Sequence, residues 1–255
     1  MAERLESLEN LEAIGLAAVD KFITTWNSRD PVAWAASLHF PHVRPAPFGE
    51  IIVAKDAAEY IARVDFDRVI ATGWDHSEWD YKHVVHTAVS KIHVVGAWSR
   101  YNKAGAIILT NPVVYIVTRI DDDWGIQARF SADNPGDDDT ASMETRAFKL
   151  IETFVSNLNN GGTAACAELL NYPHFDVGTG DLRVTQTAAE FELPAPALEI
   201  DAMFVLQAGK HSINVAIDLN IGSGPRQAVI NVTERDGHLG IQAWSLLDPN
   251  EATDE

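Results

Sequence analysis

Three arginines in the first half of the chain have the chemistry to hold an acidic ligand. They are Arg44, Arg100 and Arg129. A guanidinium group can donate two parallel hydrogen bonds to one carboxylate or phosphate. Each arginine alone is also typical of a surface residue paired with one of the chain's many acids. Taken together, the three predict an anion clamp.

A second group of reactive side chains follows a predicted strand at Trp74–Ala88. Because side chains alternate along a strand, Asp75, Trp79, Tyr81 and His83 are predicted to share one face, and His76, Glu78, Asp80 and Lys82 the solvated one. On the shared face, His83 or Asp75 could act as a general base, and Tyr81 could donate a hydrogen bond to an oxyanion. The same pattern also fits a strand interior in which Tyr81 and His83 satisfy backbone groups.

These residues lie in the first copy of a duplicated sequence. Residues 22–42 align on residues 154–174 without a gap, with seven identities in 21 positions. Further matches keep the same order: AAEY at 57–60 answers AAEF at 188–191, and GIQA at 125–128 answers GIQA at 240–243. The offset falls from 132 to 115, so the second copy has a shorter middle. We interpret the chain as a tandem duplication.

The copies differ at the three arginines. Their aligned positions carry Asp176, Leu219 or Asp218, and Trp244. This difference predicts that the first copy binds a small molecule and that the second is mainly structural. Two alternatives stay open: both copies could be scaffolds, or the second could hold the ligand through Tyr172, Arg183 and Trp244.

A Pro-His pair occurs in both copies, as Pro41-His42 and Pro173-His174. A histidine kept in a copy without the arginines favours a structural role, and we predict a hinge from helix to sheet. The ligand-binding candidates are therefore Arg44, Arg100 and Arg129, with Trp79 as an aromatic wall and His42 as the weakest member.

The periodicity of apolar residues predicts helices followed by strands in each copy. Long amphipathic helices are predicted at about Leu8–Asn27 and Thr140–Asn159, and a short helix begins at Asp30 and Pro31. Further helices are predicted around Lys55–Val64 and Thr187–Glu192. Four strands are predicted at Trp74–Ala88, Lys91–Asn102, Ala106–Arg119 and Trp124–Ser131. Helices that cover one face of an antiparallel sheet make an α+β fold.

Several stretches resemble the nuclear transport factor 2-like superfamily, also called SnoaL-like or cystatin-like cones. They are the opening helix, HFPHVR at 39–44, WSRYNKAG at 98–105 and DDDWGIQARFS at 121–131. The resemblance implies two tandem cone-shaped α+β barrels, each with N-terminal helices packed on a curved antiparallel or mixed sheet, arranged as a pseudo-dimer. It also implies a cofactor-independent isomerase, dehydratase or cyclase as the expected enzyme. The alternative is a non-catalytic binding or assembly protein that uses its sheet surfaces.

The expected domains are a first cone at 1–134, an acidic linker at 135–139, a second and shortened cone at 140–249, and an acidic tail at 250–255. A formal net charge of −18 disfavours nucleic acid and anionic membranes as partners. The chain has no apolar run of about 18 residues and no basic leader, which predicts a cytoplasmic protein. A small-molecule ligand is the expected partner, and a homo-oligomer is possible.

Metal and cofactor sites are not expected. The histidines at 76, 83, 86 and 93 are spaced so that His83 and His86 face opposite sides of a regular strand. The sequence contains no phosphate-binding glycine loop, nucleophile elbow or HExxH helix. The single cysteine, Cys166, aligns with Trp34 and is predicted to be a small apolar residue.

Overall fold

The structure is a computed structural model. It describes residues 2–46, 48, 50–134, 140–193, 198–222 and 224–247, and of residues 2–9 it describes the backbone only. The predicted acidic linker at 135–139 and tail at 250–255 lie outside the described residues, so the domain boundaries stay a prediction.

The first unit runs from helices into one sheet. Its elements are α1 (Ala2–Asn27), α2 (Pro31–Ala35), β1 (Leu38–Arg44), β2 (Ile52–Ala54), α3 (Ala57–Ile61), α4 (Phe66–Ile70), β3 (Trp74–Thr87), β4 (Lys91–Asn102), β5 (Ile107–Ile120) and β6 (Asp123–Ser131). The strand order is β2-β1-β6-β5-β4-β3. Neighbouring strands are antiparallel except β1 and β6, which are parallel.

The second unit repeats this arrangement with fewer helices. Its elements are α5 (Ala141–Asn159), α6 (Thr163–Ala167), β7 (Leu170–Val177), β8 (Leu182–Thr185), a short 3₁₀ turn (Ala188–Glu190), β9 (Leu198–Ala208), β10 (Ser212–Ile221), β11 (Gly224–Arg235) and β12 (His238–Leu247). The strand order β8-β7-β12-β11-β10-β9 matches that of the first unit position by position. The prediction of two tandem α+β units is confirmed.

The predicted cone fold is confirmed, and each sheet in it is open at its edges. Strands β2 and β3 are the edges of the first sheet, and β8 and β9 are the edges of the second. The Pro-His pairs do not form a hinge. They lie inside β1 and β7. There, His42 and His174 each contact a backbone carbonyl group of the neighbouring strand.

The helices cover one face of each sheet and create the core there. Helix α1 buries Val19, Phe22 and Trp26 against the first sheet, and α5 buries Ile151 and Phe154 against the second. Burial of side chains of this size contributes about 1.5–3 kcal/mol each. Each unit therefore has its own apolar core between helices and sheet.

The other faces of the two sheets pack against each other. We call this contact the interface cluster: Val43, Val95, Val114, Ile116, Ala128 and Phe130 from the first sheet, and Phe175, Val177, Val229 and Ala243 from the second. Hydrogen bonds surround it. The Gln127 amide donates to the Asp181 carbonyl over 2.7 Å, and the Asn214 amide donates to the Phe130 carbonyl over 2.8 Å.

Strand β3 is interrupted by irregularities, one of them between Trp79 and Tyr81. An extra residue in one strand changes which face the following side chains occupy. Trp79 accordingly packs on the helix side, and Lys82 also turns to that side, to Asp20 of α1. Tyr81 is 45% exposed and reaches toward the second unit. The strict alternation predicted for this strand is wrong for this reason.

No helix in the described part of the chain has both the length and the apolar character needed to cross a membrane.

Candidate functional site

A cavity of about 410 Å³ lies between the helices and the sheet of the first unit. All three arginines of the predicted anion clamp line it, although they come from three different strands, β1, β4 and β6. Aromatic rings form much of the remaining wall: Phe22, Trp26, Trp34, Tyr60 and Trp98. The cavity thus combines a cationic lining with apolar surfaces, as small-molecule sites commonly do.

Arg129 is the most deeply placed of the three, with 5% of its surface exposed. Its Nη2 donates to the hydroxyl of Tyr60 over 2.8 Å, and its Nε donates to Nε2 of His42 over 3.3 Å. Its guanidinium carbon lies 5.0 Å from the ring centre of Phe22 and 5.7 Å from that of Trp34. These contacts fix the direction of the Arg129 side chain.

His42 supports Arg129 from behind. Its Nδ1 lies 3.0 Å from the carbonyl oxygen of Ile126, which places the proton on Nδ1 and leaves Nε2 to accept from Arg129. Burial and the neighbouring charge of Arg129 hold the pKa of His42 well below its usual range. His42 is therefore a neutral acceptor and not a second cation.

Arg44 lies beside Arg129. Val43 of β1 is paired with Ala128 of β6 in the parallel ladder, so the next residue of each strand is an arginine. Burial, and then repulsion by Arg129, lowers the pKa of Arg44 to about 10. Its Nε is buried without a hydrogen-bond partner among the described residues. The side chain stays cationic at neutral pH but lacks a full set of acceptors.

Arg100 enters the cavity from β4. Its guanidinium carbon lies 5.2 Å from the ring centre of Trp26 and 5.7 Å from that of Trp98. Burial lowers its pKa, and its Nε also has no hydrogen-bond partner in the part of the chain that the structure describes. Stacking on two indole rings holds this cation in place without neutralising it.

The three arginines have no acidic partner within 4.0 Å among the described residues. The nearest acids serve other groups. Glu50 pairs with Arg63 over 2.7 Å, and the Asp65 carboxylate accepts the backbone N–H of Arg68 at the start of α4. Buried or half-buried cations without a counter-charge are costly unless an anion joins them.

Short helices position the remaining wall. Asp56 accepts the N–H of Glu59 at the start of α3, which places Tyr60 over the sheet, where it is 3% exposed. Burial raises the pKa of the Tyr60 hydroxyl. Since the oxygen accepts from Arg129, its own proton is free to be donated.

The predicted catalytic residues do not meet in this cavity. The Nδ1 atom of His76 lies 3.0 Å from a carboxylate oxygen of Asp75. The hydroxyl oxygen of Tyr81 accepts a hydrogen bond from the Gln207 amide over 3.2 Å. The ring of His83 stacks 6.3 Å from that of Tyr81. None of the three lines the cavity. Tyr81 and His83 are neighbours, whereas two irregularities of β3 lie between them and Trp74, next to Asp75.

Trp79, the predicted aromatic wall, also lies outside the cavity lining. It packs edge-on against Tyr115 at 5.7 Å, within the core under α1. The aromatic residues that do line the cavity were missed. A signal for three of them was present in the repeat: Trp26 aligns with Leu158, Trp34 with Cys166 and Tyr60 with Phe191.

The same positions of the second unit are filled differently. Trp244, which aligns with Arg129, lies 4.3 Å from the ring of His174 and 5.6 Å from that of Phe154. Asp176, which aligns with Arg44, is half-buried, and its removal from solvent raises its pKa. The second interior thus has an indole where the first has a cation.

A second cavity of about 410 Å³ lies where the two units meet. Thr87 and Ala88 come from the first unit, while Asp201, Asp218 and Arg226 come from the second. Its two acids outnumber its one arginine, so its lining does not favour an acidic ligand.

Comparison with known proteins gives one family match, and it covers the unit that contains the cationic cavity. Residues 16–134 match the family model described as NTF2-like protein (DUF6841). No curated protein matches the chain.

Three solved structures show the likeness of a single unit. An NTF-2 like protein of unknown function from Shewanella oneidensis MR-1 is 18% identical, with 46% of this chain and 95% of that chain covered and a TM-score of 0.38. A ketosteroid isomerase-like protein from Erwinia carotovora atroseptica is 22% identical, with 46% and 91% covered and a TM-score of 0.37. A cystatin-like fold protein from Nostoc punctiforme is 9% identical, with 44% and 95% covered and a TM-score of 0.35.

The family match falls on the first unit, and the second unit repeats its strand order. The first unit is therefore NTF2-like, and the chain consists of two α+β units of the same topology.

Proposed function

We propose that the first unit binds a small organic anion with an apolar body in the arginine-lined cavity. The observation that supports this most directly is the convergence of Arg44, Arg100 and Arg129 on one cavity without an acidic partner among the described residues. The aromatic walls favour a ligand with a flat ring or conjugated chain. The second unit serves as the scaffold against which the first sheet packs, so that the two form a covalent counterpart of a dimer.

The positive lining is local and acts against the field of the whole protein. The formal net charge of −18 repels free anions at long range. At contact distance, a half-buried guanidinium group outweighs this field because screening and solvent weaken charges that are farther away. We therefore expect selective binding inside the cavity and no general affinity of the protein for anions.

The experiment is a thermal-shift and calorimetric comparison of aromatic acids with their neutral amides. A ligand that binds only the native state raises the transition temperature with its concentration. We expect benzoate, phenylacetate and cinnamate to stabilise the protein, and their amides to have a much smaller effect. Arg129→Met should lower the affinity for the acids by about 100-fold, since the charge and the directed donors are lost together.

The matched control is Arg146→Met on α5, where the arginine is exposed and paired with Glu234. This variant should keep the affinity of the original protein. Equal binding of acids and amides, or equal loss in both variants, would show that the cavity does not select anions.

A proton-transfer reaction of the isomerase, dehydratase or cyclase kind is the second candidate. It is favoured by two groups of the same cavity, the Tyr60 hydroxyl, which can donate to a developing oxyanion, and the Asp65 carboxylate. Incubation of a bound acid in deuterated water, followed by mass spectrometry, would detect exchange at carbon. Binding without exchange supports the receptor function alone.

An assembly function through the sheet surfaces has weaker support. The faces that it requires pack against each other within the chain, through the interface cluster. Among the described residues, the sheet edges and the exposed parts of β3, β5 and β9 stay available for another protein.

A further inference from the structure

The three arginines of the predicted clamp lie at two separate places in the cavity, and this separation bears on the number of charges in the ligand. Arg44 and Arg129 are neighbours on β1 and β6. Arg100 is on β4, which β5 separates from β6. Arg129 is paired with Tyr115 of β5, and Arg100 is paired with Leu109 of the same strand. Tyr115 and Leu109 are six residues apart along β5. The clamp therefore has an arginine pair at one end and a single arginine at the other, while Arg63, which is paired with Glu50, and Arg68 also line the cavity.

A single carboxylate has two oxygens and cannot fill the donor capacity of three guanidinium groups. It can take a bidentate contact from one guanidinium group and share a second with the adjacent arginine. With one carboxylate at the Arg44 and Arg129 end, the Nε of Arg100 would keep no acceptor among the described residues. A buried cationic donor without an acceptor reduces the stability of such a complex.

The wall between the two ends is aromatic. The ring centres of Trp26 and Trp34 are 4.6 Å apart, with Arg100 stacked on Trp26 and Arg129 near Trp34. A flat apolar spacer would lie along these indole rings while its two ends reach the arginines.

We infer that the ligand of this cavity is a dianion, with two acidic groups at opposite ends of a flat, apolar spacer, one held by Arg44 and Arg129 and the other by Arg100. This inference rests on the proposed function, because it specifies the class of acid that the same cavity binds. Aromatic or conjugated dicarboxylates have this chemistry.

The test uses probes of equal shape and different charge. Terephthalate carries two carboxylates at opposite ends of a ring, and its monomethyl ester has the same outline with one charge. Phthalate carries both carboxylates on adjacent ring carbons. Calorimetry on the full chain at low and moderate salt would give the three affinities, and moderate salt reduces unspecific attraction.

We expect terephthalate to bind at least tenfold more tightly than its monomethyl ester and than phthalate. Arg100→Met should remove this advantage, so that terephthalate binds like the ester, while the affinity for the ester stays the same. Arg44→Met should weaken both. Melting curves of the two variants would establish that they are folded.

The inference is overturned if the ester and terephthalate bind equally well to the original protein, or if phthalate binds most tightly. Either result leaves the proposed function intact, because an acid still binds. If neither the diacids nor the ester nor benzoate bind, the proposed function itself fails. The two failures are therefore distinguishable.

Discussion

The interiors of the two units have the same scaffold, but the first contains a cation where the second contains an indole ring. Both have a long helix over the sheet, and both have a histidine whose Nδ1 lies about 3 Å from a carbonyl oxygen of the adjacent strand: 3.0 Å for His42 and Ile126, and 3.1 Å for His174 and Ile241. In the first unit, Nε2 of this histidine accepts from Arg129, whereas Nε2 of His174 has no hydrogen-bond partner among the residues described. The scaffold is thus retained without the group that it positions.

The exchange of residues between the units keeps the interiors filled. The first unit has Trp34 and Arg129, and the second has Cys166 and Trp244 at the same positions. The large ring lies on a helix in the first unit and on the sheet in the second, and the second unit has no cation at the position of Arg129. The comparison indicates that the second interior is stabilised by apolar packing, and that the first gives up part of such packing for a charged cavity.

The largest expected effect on stability comes from truncation at the position that Arg129 occupies in the first unit and Trp244 in the second. Trp244→Ala should lower the free energy of unfolding by about 3 kcal/mol, because a large side chain packed on Phe154 and His174 leaves a hole. Arg129→Ala should cost only about 1 kcal/mol, since the loss of its contacts is partly offset by relief of the repulsion with Arg44. Urea denaturation of both variants measures the difference.

The same two substitutions should affect the binding of acids in the opposite order. Arg129→Ala should abolish it, and Trp244→Ala should leave it unchanged at temperatures where the protein is folded. A larger loss of stability from Arg129→Ala than from Trp244→Ala would contradict the assignment of a structural interior to the second unit.

The sequence predicted the scaffold and the cations of this comparison, but not the rest of the cavity. Periodicity placed α1 and the strands from Trp74 onward close to their observed bounds, because long amphipathic patterns directly reflect burial. Alignment of the copies singled out the three arginines. The grouping of Asp75, Tyr81 and His83 in one site stays a prediction. It assumed a regular strand, whereas β3 has an irregularity between Trp79 and Tyr81 that has no local sequence signal.

The pH dependence of stability should reveal His174, which is 2% exposed. Burial, partly offset by the Ile241 carbonyl and reinforced by the charge of Arg183, lowers the pKa of His174 to about 4. The unfolded chain takes up this proton near pH 6.5, so unfolding binds a proton between these values and stability falls as the pH falls from 6.5 to 4. His174 should account for a loss of about 2 kcal/mol between pH 7 and pH 5.

The variant His174→Phe keeps a ring at this position and removes the titration. Urea denaturation at pH 7 and pH 5 should therefore show a smaller loss for the variant than for the original protein. His42, His86 and His93 also have lowered pKa values and contribute to both proteins alike. Parallel losses in the two proteins would show that His174 is not held neutral by burial.

The smallest expected effect is on ligand affinity, and it distinguishes His42 from His174. His42→Phe and His174→Phe each remove a ring nitrogen that bonds a strand carbonyl, so each should lower the free energy of unfolding by about 1–3 kcal/mol. Only His42 also holds Arg129, through the contact of 3.3 Å to its Nε. His42→Phe should therefore weaken the binding of an aromatic acid about fivefold, which corresponds to one hydrogen bond of about 1 kcal/mol, whereas His174→Phe should leave affinity unchanged. Calorimetry at a temperature where both variants are folded measures this difference, and equal affinities would mean that Arg129 keeps its direction without His42.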